Sequence, residues 1–304
     1  MGRYKAYNNP AYKPSLKLYL RTQVEGGPLR NPGKLIPEKN TPSKRICVVL
    51  VHGYNNHVGQ ASKAYYSFRA KQKSIQKSLT EDNLEKLLGD TFWPGDAKWI
   101  WGADLLDFFF YSKAVDVAKK AGPLLADLIL KIPGLLEVNF IGHSLGCRLI
   151  LETITLLQNR GYPAIGKICL MAAAVENEMV SRGGKFESTL LKLQSNKSKI
   201  KILFSSSDIW VLGGAFPIGQ KLAGEGNFPT ALGLKPTPDM LGLVEKNRIP
   251  GAGHSDYWGI KKNKQNKLSA QFVEEFFNFG DIKRRIDQLQ IEEKRVVAQP
   301  RAII

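Results

Sequence analysis

One short stretch, residues 137–157, constrains the fold of this chain more than any other. It begins with a mostly apolar run at 138–141, typical of a buried strand, and continues with apolar residues at helical spacing over 145–157. Between the two lies Gly142-His143-Ser144-Leu145-Gly146, a G-x-S-x-G pattern. Strand and helix crowd each other at such a turn, which requires the flanking glycines and strains the serine backbone. The pattern predicts a serine hydroxyl held clear of a sheet at a helix start; an ordinary serine in a glycine-rich turn is the alternative.

A histidine is the expected base for Ser144. A serine hydroxyl needs a base within hydrogen-bond reach at neutral pH, and that base needs an acid to orient it. A strand-to-helix turn that carries a serine in this way is called a nucleophile elbow. In chains with such an elbow, the three residues follow in the order serine, acid, histidine. The chain has four histidines, and only His254 follows Ser144. We therefore predict His254, in the glycine-containing loop 250–256, as the base rather than as a surface histidine, and His57 and His143 as structural or pocket-lining residues.

Asp208 is the preferred acid, and Glu176 is the second choice. Asp208 follows the predicted strand Ile200–Phe204 after a short link, which places its carboxylate at the carboxyl edge of a sheet, where catalytic groups gather. Glu176 follows the preceding strand in the same way, whereas Glu225 and Asp239 lie in a Gly/Pro-rich segment and fit less well. Capping of the following helix is the alternative role for Asp208.

A second motif supplies a site for developing negative charge. Acyl-transfer chemistry needs two N–H groups aimed at the oxyanion, one from the residue after the nucleophile and one from a loop after an early strand. Leu145 follows Ser144, and Val51-His52-Gly53-Tyr54 follows the apolar run 46–51. We predict the backbone N–H groups of Tyr54 and Leu145 as the two donors, with a plain strand-ending turn as the alternative for the loop.

Predicted strands and helices alternate along the chain, which favours an α/β fold with a mostly parallel central sheet and helices on both faces. Residues 1–45 form a basic, Pro-rich N-terminal arm, with a predicted edge strand at Leu16–Thr22 and a loop at 25–44. Residues 46–304 form the main domain. Within it, 209–253 is predicted as a cap or pocket segment, and the chain is predicted to be helical from about 265, with Gly280 as a stop between two helices.

Charge and cysteine content bear on location and partners. The net charge is +17, spread along the chain, with ten Lys and Arg against two Glu in residues 1–45. A solvated basic surface or an anionic membrane surface explains this balance, and nucleic acid is not expected because no zinc-finger or RNP-like motif accompanies it. Cys47, Cys147 and Cys169 show no pairing framework, and the first ten residues hold no apolar segment, so we expect a cytoplasmic protein. Four histidines and three scattered cysteines indicate no metal or cofactor site.

Five motifs together resemble the α/β-hydrolase superfamily, and more narrowly a branch of bacterial hydrolases with an HGYN loop. They are Val49-Leu50-Val51-His52-Gly53-Tyr54-Asn55-Asn56, Phe92-Trp93-Pro94-Gly95, Gly142-His143-Ser144-Leu145-Gly146, Ser206-Ser207-Asp208 and Gly253-His254-Ser255-Asp256-Tyr257-Trp258. The resemblance covers roughly residues 45–260. It implies a serine hydrolase with Ser144, Asp208 and His254 as its triad, and it leaves the substrate open because this fold hosts many activities.

Three functions follow as hypotheses. The first is cleavage of a small-molecule or lipid carboxylic ester through an acyl-serine intermediate. The second keeps the same triad but makes the protein a thioesterase or an acyltransferase. The third is a non-catalytic module that binds an anionic partner. The aromatic segment 99–111 and the apolar stretch Ile209–Ile218 are candidates for lining an acyl pocket, with core packing as the alternative.

Overall fold

The computed structural model describes residues 9–22, 27–54, 56–95, 104–160 and 164–298. Within these ranges the chain forms one mixed sheet with helices between its strands. The strands are β1 (Lys17–Arg21), β2 (Leu29–Ile36), β3 (Ile46–Val51), β4 (Leu88–Phe92), β5 (Glu137–His143), β6 (Ala164–Met171), β7 (Lys199–Phe204) and β8 (Leu243–Arg248). The α-helices are α1 (Val58–Ile75), α2 (Glu81–Leu87), α3 (Asp104–Leu130), α4 (Leu145–Asn159), α5 (Glu187–Ser195), α6 (Phe216–Leu222), α7 (Lys264–Phe277) and α8 (Phe279–Ala298).

The described strands form a sheet in the order β2-β1-β4-β3-β5-β6-β7-β8. Every neighbouring pair is parallel except β1 with β2, which is antiparallel. All six residues of β3 are buried, as expected for a strand that helices cover on both sides. Helix α3 packs against α4 on one face, and α1 packs against α7 on the other. The predicted mostly parallel sheet with flanking helices is confirmed.

The two ends of the sheet differ from the prediction. The N-terminal strand is not at the edge, because β2 lies outside it and covers it. Pro32 and Gly33 predict a loop where β2 lies, but an edge strand tolerates both residues, because one side of its backbone forms no ladder. At the other end, β8 lies inside the segment 209–253 and was not predicted. Its side chains are exposed or half-buried, so it shows no apolar pattern.

Two helix boundaries also differ. Pro123 predicts a break or kink in the helix over 115–132, but α3 has no break there. Pro123 is exposed, so the carbonyl that it leaves unpaired can be hydrated. The stop between the last two helices is Asn278 rather than Gly280. Asn278 adopts the left-handed conformation (φ 48°, ψ 70°) and donates its N–H to Glu274 O at 2.7 Å, so it ends α7 one residue before α8 begins. None of the described helices is both long and apolar enough to cross a bilayer.

A buried ion pair ties the N-terminal arm and α1 to the sheet. Arg69 of α1 donates from Nη2 to Asp90 Oδ1 of β4 at 2.8 Å, and its Nε lies 3.0 Å from Glu85 Oε1. The Tyr12 hydroxyl donates to the second oxygen of Asp90. Arg69 and Asp90 are almost fully buried. Each charge is therefore tolerated only because the other is present.

We expect Arg69→Met to lower the free energy of unfolding by about 3–5 kcal/mol, because it leaves the Asp90 carboxylate buried without its cation. Urea denaturation of the purified protein measures this change. The double variant Arg69→Met/Asp90→Leu should recover part of the loss, since it removes both charges.

The exposed pair Lys86–Asp82, 2.6 Å apart one helical turn from each other, provides the control. Lys86→Met should cost less than about 1 kcal/mol, because solvent screens exposed ion pairs. Equal losses for Arg69→Met and Lys86→Met would contradict the assignment of the buried pair as a structural tie.

Candidate active site

Ser144 lies at the junction of β5 and α4, at the carboxyl edge of the sheet. Its backbone has φ 54° and ψ −128°, a conformation that costs a non-glycine residue about 1–3 kcal/mol. Neighbouring backbone holds it there. Its N–H donates to Met171 O at 3.0 Å, and its carbonyl oxygen accepts from the N–H groups of Cys147 at 3.0 Å and Ala174 at 3.2 Å. The turn predicted from the G-x-S-x-G pattern is present.

Both flanking glycines are closely packed, and Gly146 has backbone atoms against it. A Cβ on Gly142 would lie 2.5 Å from Ile150 Cδ1. A Cβ on Gly146 would collide with the carbonyl oxygen of His52 and lie 2.7 Å from that of Val51. The start of α4 therefore rests directly on the HG loop, residues 52–54, and no side chain fits between them.

The structure brings the three predicted polar residues together in one chain of hydrogen bonds. His254 Nε2 lies 2.8 Å from Ser144 Oγ, and His254 Nδ1 lies 2.6 Å from Asp208 Oδ2. The Asp208 side chain is buried (3% exposed), whereas the His254 side chain remains 20% exposed. This geometry allows the imidazole to accept the serine proton at one nitrogen while the carboxylate orients the other.

Glu176, the second choice for the acid, lies elsewhere. No bond joins it to His254, and its main chain forms an isolated bridge with Ala231. Asp239 is exposed and Glu225 is ion-paired with Lys119 at 2.6 Å. Of the acids weighed from the sequence, the structure places only Asp208 against His254.

His143 holds the loop of His254 in place. Its Nε2 lies 2.7 Å from the His254 carbonyl oxygen, a contact in which the ring must donate. Burial, and secondarily the nearby His254 ring, lower the pKa of His143 to about 3. His143 is therefore neutral at ordinary pH, with its proton on Nε2. Since its unfolded-state pKa is higher, this group lowers stability as the pH falls below about 6.5.

Asp256 fixes the same loop from the other side. Its Oδ2 accepts from the Gly253 N–H at 3.0 Å, and its Oδ1 accepts from Asn263 Nδ2 at 2.9 Å and from Lys261 Nζ at 3.0 Å. Asn263 is the N-cap of α7, so these bonds tie the His254 loop to a long helix. This role of Asp256 is not predicted from the sequence, where its position two residues after His254 is the available signal.

The His52 side chain orients the HG loop. Its Nε2 accepts from the Trp93 N–H at 3.4 Å, which leaves the proton on Nδ1 for donation to Gly53 O at 2.9 Å. The Trp93 ring stacks on His52 with centroids 5.6 Å apart, and Trp93 Nε1 donates to His52 O at 2.9 Å. Because the Gly53–Tyr54 peptide is trans, its N–H points opposite to the carbonyl that His52 holds.

The two predicted N–H donors are therefore set by different elements. Leu145 is the first residue of α4, so its N–H has no acceptor within the helix. Tyr54 N–H takes its direction from the His52–Gly53 bond. Asn55, the last residue of the HGYN motif, lies outside the described residues. The sequence predicts His52 only as part of the loop that carries the Tyr54 N–H. The orienting role of its ring is seen in the structure alone.

The predicted pocket segments are partly described. Residues 96–103 and the side chains of 104–110 lie outside the description, but Tyr111 is buried and packs edge-on against Tyr54, with ring centroids 5.5 Å apart. In the stretch Ile209–Ile218, Ile209 and Trp210 are exposed, whereas Leu212 and Phe216 are buried. Among the described residues, no three His, Cys, Asp or Glu side chains are grouped so that they could hold a metal ion.

Comparison with known proteins gives one family match. Residues 43–182, which include β3 and the elbow, match the model of a family described as a protein of unknown function, DUF726. A search of the curated proteins finds none that matches this chain.

Several solved structures are similar to this chain at low identity. Est1E from Butyrivibrio proteoclasticus with bound ferulic acid is 11% identical, with a TM-score of 0.42. The match covers 79% of this chain and 92% of the Est1E chain. An esterase from Pyrobaculum calidifontis is 12% identical, with a TM-score of 0.44 and coverages of 80% and 78%. Carboxyl esterase 2 from Tuber melanosporum is 12% identical, with a TM-score of 0.42 and coverages of 92% and 90%.

The sheet itself decides the fold class. Seven parallel strands in the order β1-β4-β3-β5-β6-β7-β8, with a serine on the strand-to-helix turn after the central strand β5, define it. The chain has the α/β-hydrolase fold. In this fold the carboxyl edge of the sheet carries the functional groups, and Ser144, Asp208 and His254 all lie there.

We expect Gly146→Ala to lower the free energy of unfolding by about 1–3 kcal/mol, because the added methyl group pushes the HG loop away from α4. Urea denaturation measures this loss. Gly213→Ala is the matched control, since its Cβ would lie 3.6 Å from Leu234 Cδ2 and 3.7 Å from Ile209 Cβ, ordinary contact distances. If both variants are equally stable, the elbow and the HG loop are not in close contact.

Proposed function

We propose that this protein is a serine hydrolase that cleaves carboxylic esters through an acyl-serine intermediate. The observation that carries the proposal is the hydrogen-bond chain from Ser144 Oγ to His254 to Asp208, with links of 2.8 and 2.6 Å. The strained Ser144 backbone at the start of α4 supports it, because a structure keeps such strain where position matters for function.

In the first half of the proposed reaction, Ser144 Oγ attacks the ester carbonyl carbon while His254 Nε2 takes the serine proton. Asp208 stabilises the resulting imidazolium through Nδ1. The carbonyl oxygen becomes an oxyanion, which the N–H groups of Leu145 and Tyr54 stabilise. Collapse of the tetrahedral intermediate breaks the bond to the alcohol, and His254 returns the proton to the departing alkoxide. The acyl group remains on Ser144.

In the second half, water replaces the alcohol. His254 removes a proton from a water molecule as the water oxygen attacks the acyl carbon. The second tetrahedral intermediate collapses, the carboxylic acid leaves, and the proton returns to Ser144 Oγ. The His254 side chain is 20% exposed, so solvent water has access to the base.

We expect a fluorophosphonate probe to label Ser144, because the probe reacts with serines that an adjacent base activates. Ser144→Ala should abolish both labelling and turnover of p-nitrophenyl butyrate while the protein stays folded. Mass spectrometry of the labelled peptide, with far-UV circular dichroism of the variant, tests this. Labelling at another serine, or no labelling of the folded wild type, would exclude the proposed mechanism.

We expect Asp208→Asn to lower kcat for p-nitrophenyl butyrate by roughly 10⁴-fold, the loss seen when a triad acid is neutralised in a serine protease. The amide keeps the shape of the side chain but no longer stabilises the imidazolium. The matched control is Asp239→Asn, which changes an exposed carboxylate in the same part of the chain. Similar kcat values for the two variants would show that Asp208 is not the acid.

A further inference from the structure

A cavity of about 430 Å³ lies at the amino edge of the sheet, where β3 begins. We call it the amino-edge cavity. Its walls come from residues 42–46, from α2 and from α8, and include Ser15. Ile46 in its wall pairs with Glu137, which is at the opposite end of β5 from Ser144. The cavity is therefore separate from the proposed catalytic residues, and its volume is in the usual range for small-molecule sites, about 300–1,000 Å³.

Four of the side chains that line the amino-edge cavity are positively charged, and one is negative. The four are Lys44, Arg45, Lys86 and Lys283; the acid is Asp287. Three of these cations pair with carboxylates: Lys283 with Asp287 at 2.5 Å, Lys86 with Asp82 at 2.6 Å, and Arg45 with Glu293. All three pairs have exposed surface, so solvent screens them and each contributes little. Four cations against these three acids leave one positive charge, that of Lys44.

Lys44 differs from the other three cations because its side chain is buried and pairs with no carboxylate of the described residues. Its Nζ donates to Ser15 Oγ at 3.1 Å and to a carbonyl oxygen at the end of α2. The nearby carboxylates of Glu85 and Asp90 pair with Arg69 instead, at 3.0 and 2.8 Å. Burial lowers the pKa of Lys44 even though these two carboxylates act in the opposite direction. Its charge is thus held at the cavity without full compensation, which a bound anion would supply.

Apolar side chains also line the amino-edge cavity. They are Ile46 of β3, Leu87 of α2 and Ile286 of α8, of which the first two are almost fully buried. Such side chains offer water no hydrogen bonds, whereas an aliphatic chain that covers them removes apolar surface from water on both partners. The lining therefore matches a molecule with one anionic group and an apolar body. A neutral ligand would leave Lys44 uncompensated, and a cation would be repelled by it.

We propose that the amino-edge cavity binds an amphipathic carboxylate, with its head group beside Lys44 and its aliphatic part against Ile46, Leu87 and Ile286. A carboxylate carries a single negative charge at neutral pH, which matches the single positive charge that the surrounding ion pairs leave. A phosphate monoester would bring about two. The inference is independent of the proposed ester hydrolysis, because no residue of the cavity takes part in that reaction and binding is measured without turnover.

Isothermal titration calorimetry with octanoate and octanamide tests the head group, since the two molecules have the same chain and nearly the same shape. We expect the full-length protein to bind octanoate at least about tenfold more tightly than octanamide, because hydrogen bonds between charged groups are the stronger ones. Acetate has the head group without the chain and should bind at least about tenfold more weakly than octanoate. Octanoate should also raise the Tm, since it binds the folded protein.

Three variants of α8 locate the binding. Lys283→Gln removes a cation that lines the cavity and should weaken octanoate binding by about two- to fivefold, the range for an exposed charge. Arg284→Gln is the matched control: it removes the adjacent cation, which is largely exposed and does not line the cavity, and should leave the Kd unchanged. Ile286→Trp fills the cavity and should abolish octanoate binding.

Lys44→Met tests the position of the head group. It should lower the affinity for octanoate to that for octanamide and leave the affinity for octanamide unchanged. Lys44 also holds a carbonyl oxygen at the end of α2, so the Tm of the unliganded variant is measured beside that of the wild type. If Lys44→Met does not fold, Lys283→Gln and Ile286→Trp still decide the question, since both change half-buried side chains.

The proposal is wrong if octanoate does not bind, or if octanamide binds as tightly. It is also wrong if Lys283→Gln and Arg284→Gln have the same Kd, or if Ile286→Trp binds octanoate as the wild type does, because the carboxylate then occupies another place, the proposed active site included. Fluorophosphonate labelling of Ser144 does not depend on any of these results. Failure of the binding proposal and failure of the esterase proposal are therefore distinguishable.

Discussion

The close contact between α4 and the HG loop is the constraint on which the rest of the site depends. Gly146 lies against the backbone oxygens of Val51 and His52, so the helix that follows Ser144 and the loop after β3 share one surface. That contact sets the distance between the Leu145 and Tyr54 N–H groups, one from each partner. A hydrogen-bond donor is effective only where it is already aimed at developing charge. The absence of a side chain at Gly146 therefore sets the relative position of the two N–H groups that we propose as oxyanion donors.

The three histidines near this contact differ in the groups that their ring nitrogens bond. His52 and His143 are buried, and each uses a ring N–H to hold a backbone carbonyl: Gly53 O for His52, and His254 O for His143. His254 alone is partly exposed and has a ring nitrogen on the Ser144 hydroxyl. Two fixed rings thus keep the HG loop and the His254 loop in place, while the third faces the Ser144 hydroxyl.

The candidate site residues could be predicted from the sequence, because each lies at a recognisable local pattern. Ser144, His254 and Asp208 were identifiable because chain order, strand ends and glycine spacing restrict where such residues can lie, and the structure brings them within hydrogen-bond distance of each other. The edge strands β2 and β8 were not identifiable, because edge strands need no continuous apolar run and β8 has none. The left-handed Asn278 was missed because glycine is the usual helix stop.

The backbone of Ser144 is itself informative about its role. Its φ of 54° lowers stability, and proteins keep such strain mainly at functional sites, where stability and activity oppose each other. The strain therefore supports the proposed role of Ser144 as the nucleophile, because position at the start of α4 is what the strained turn provides.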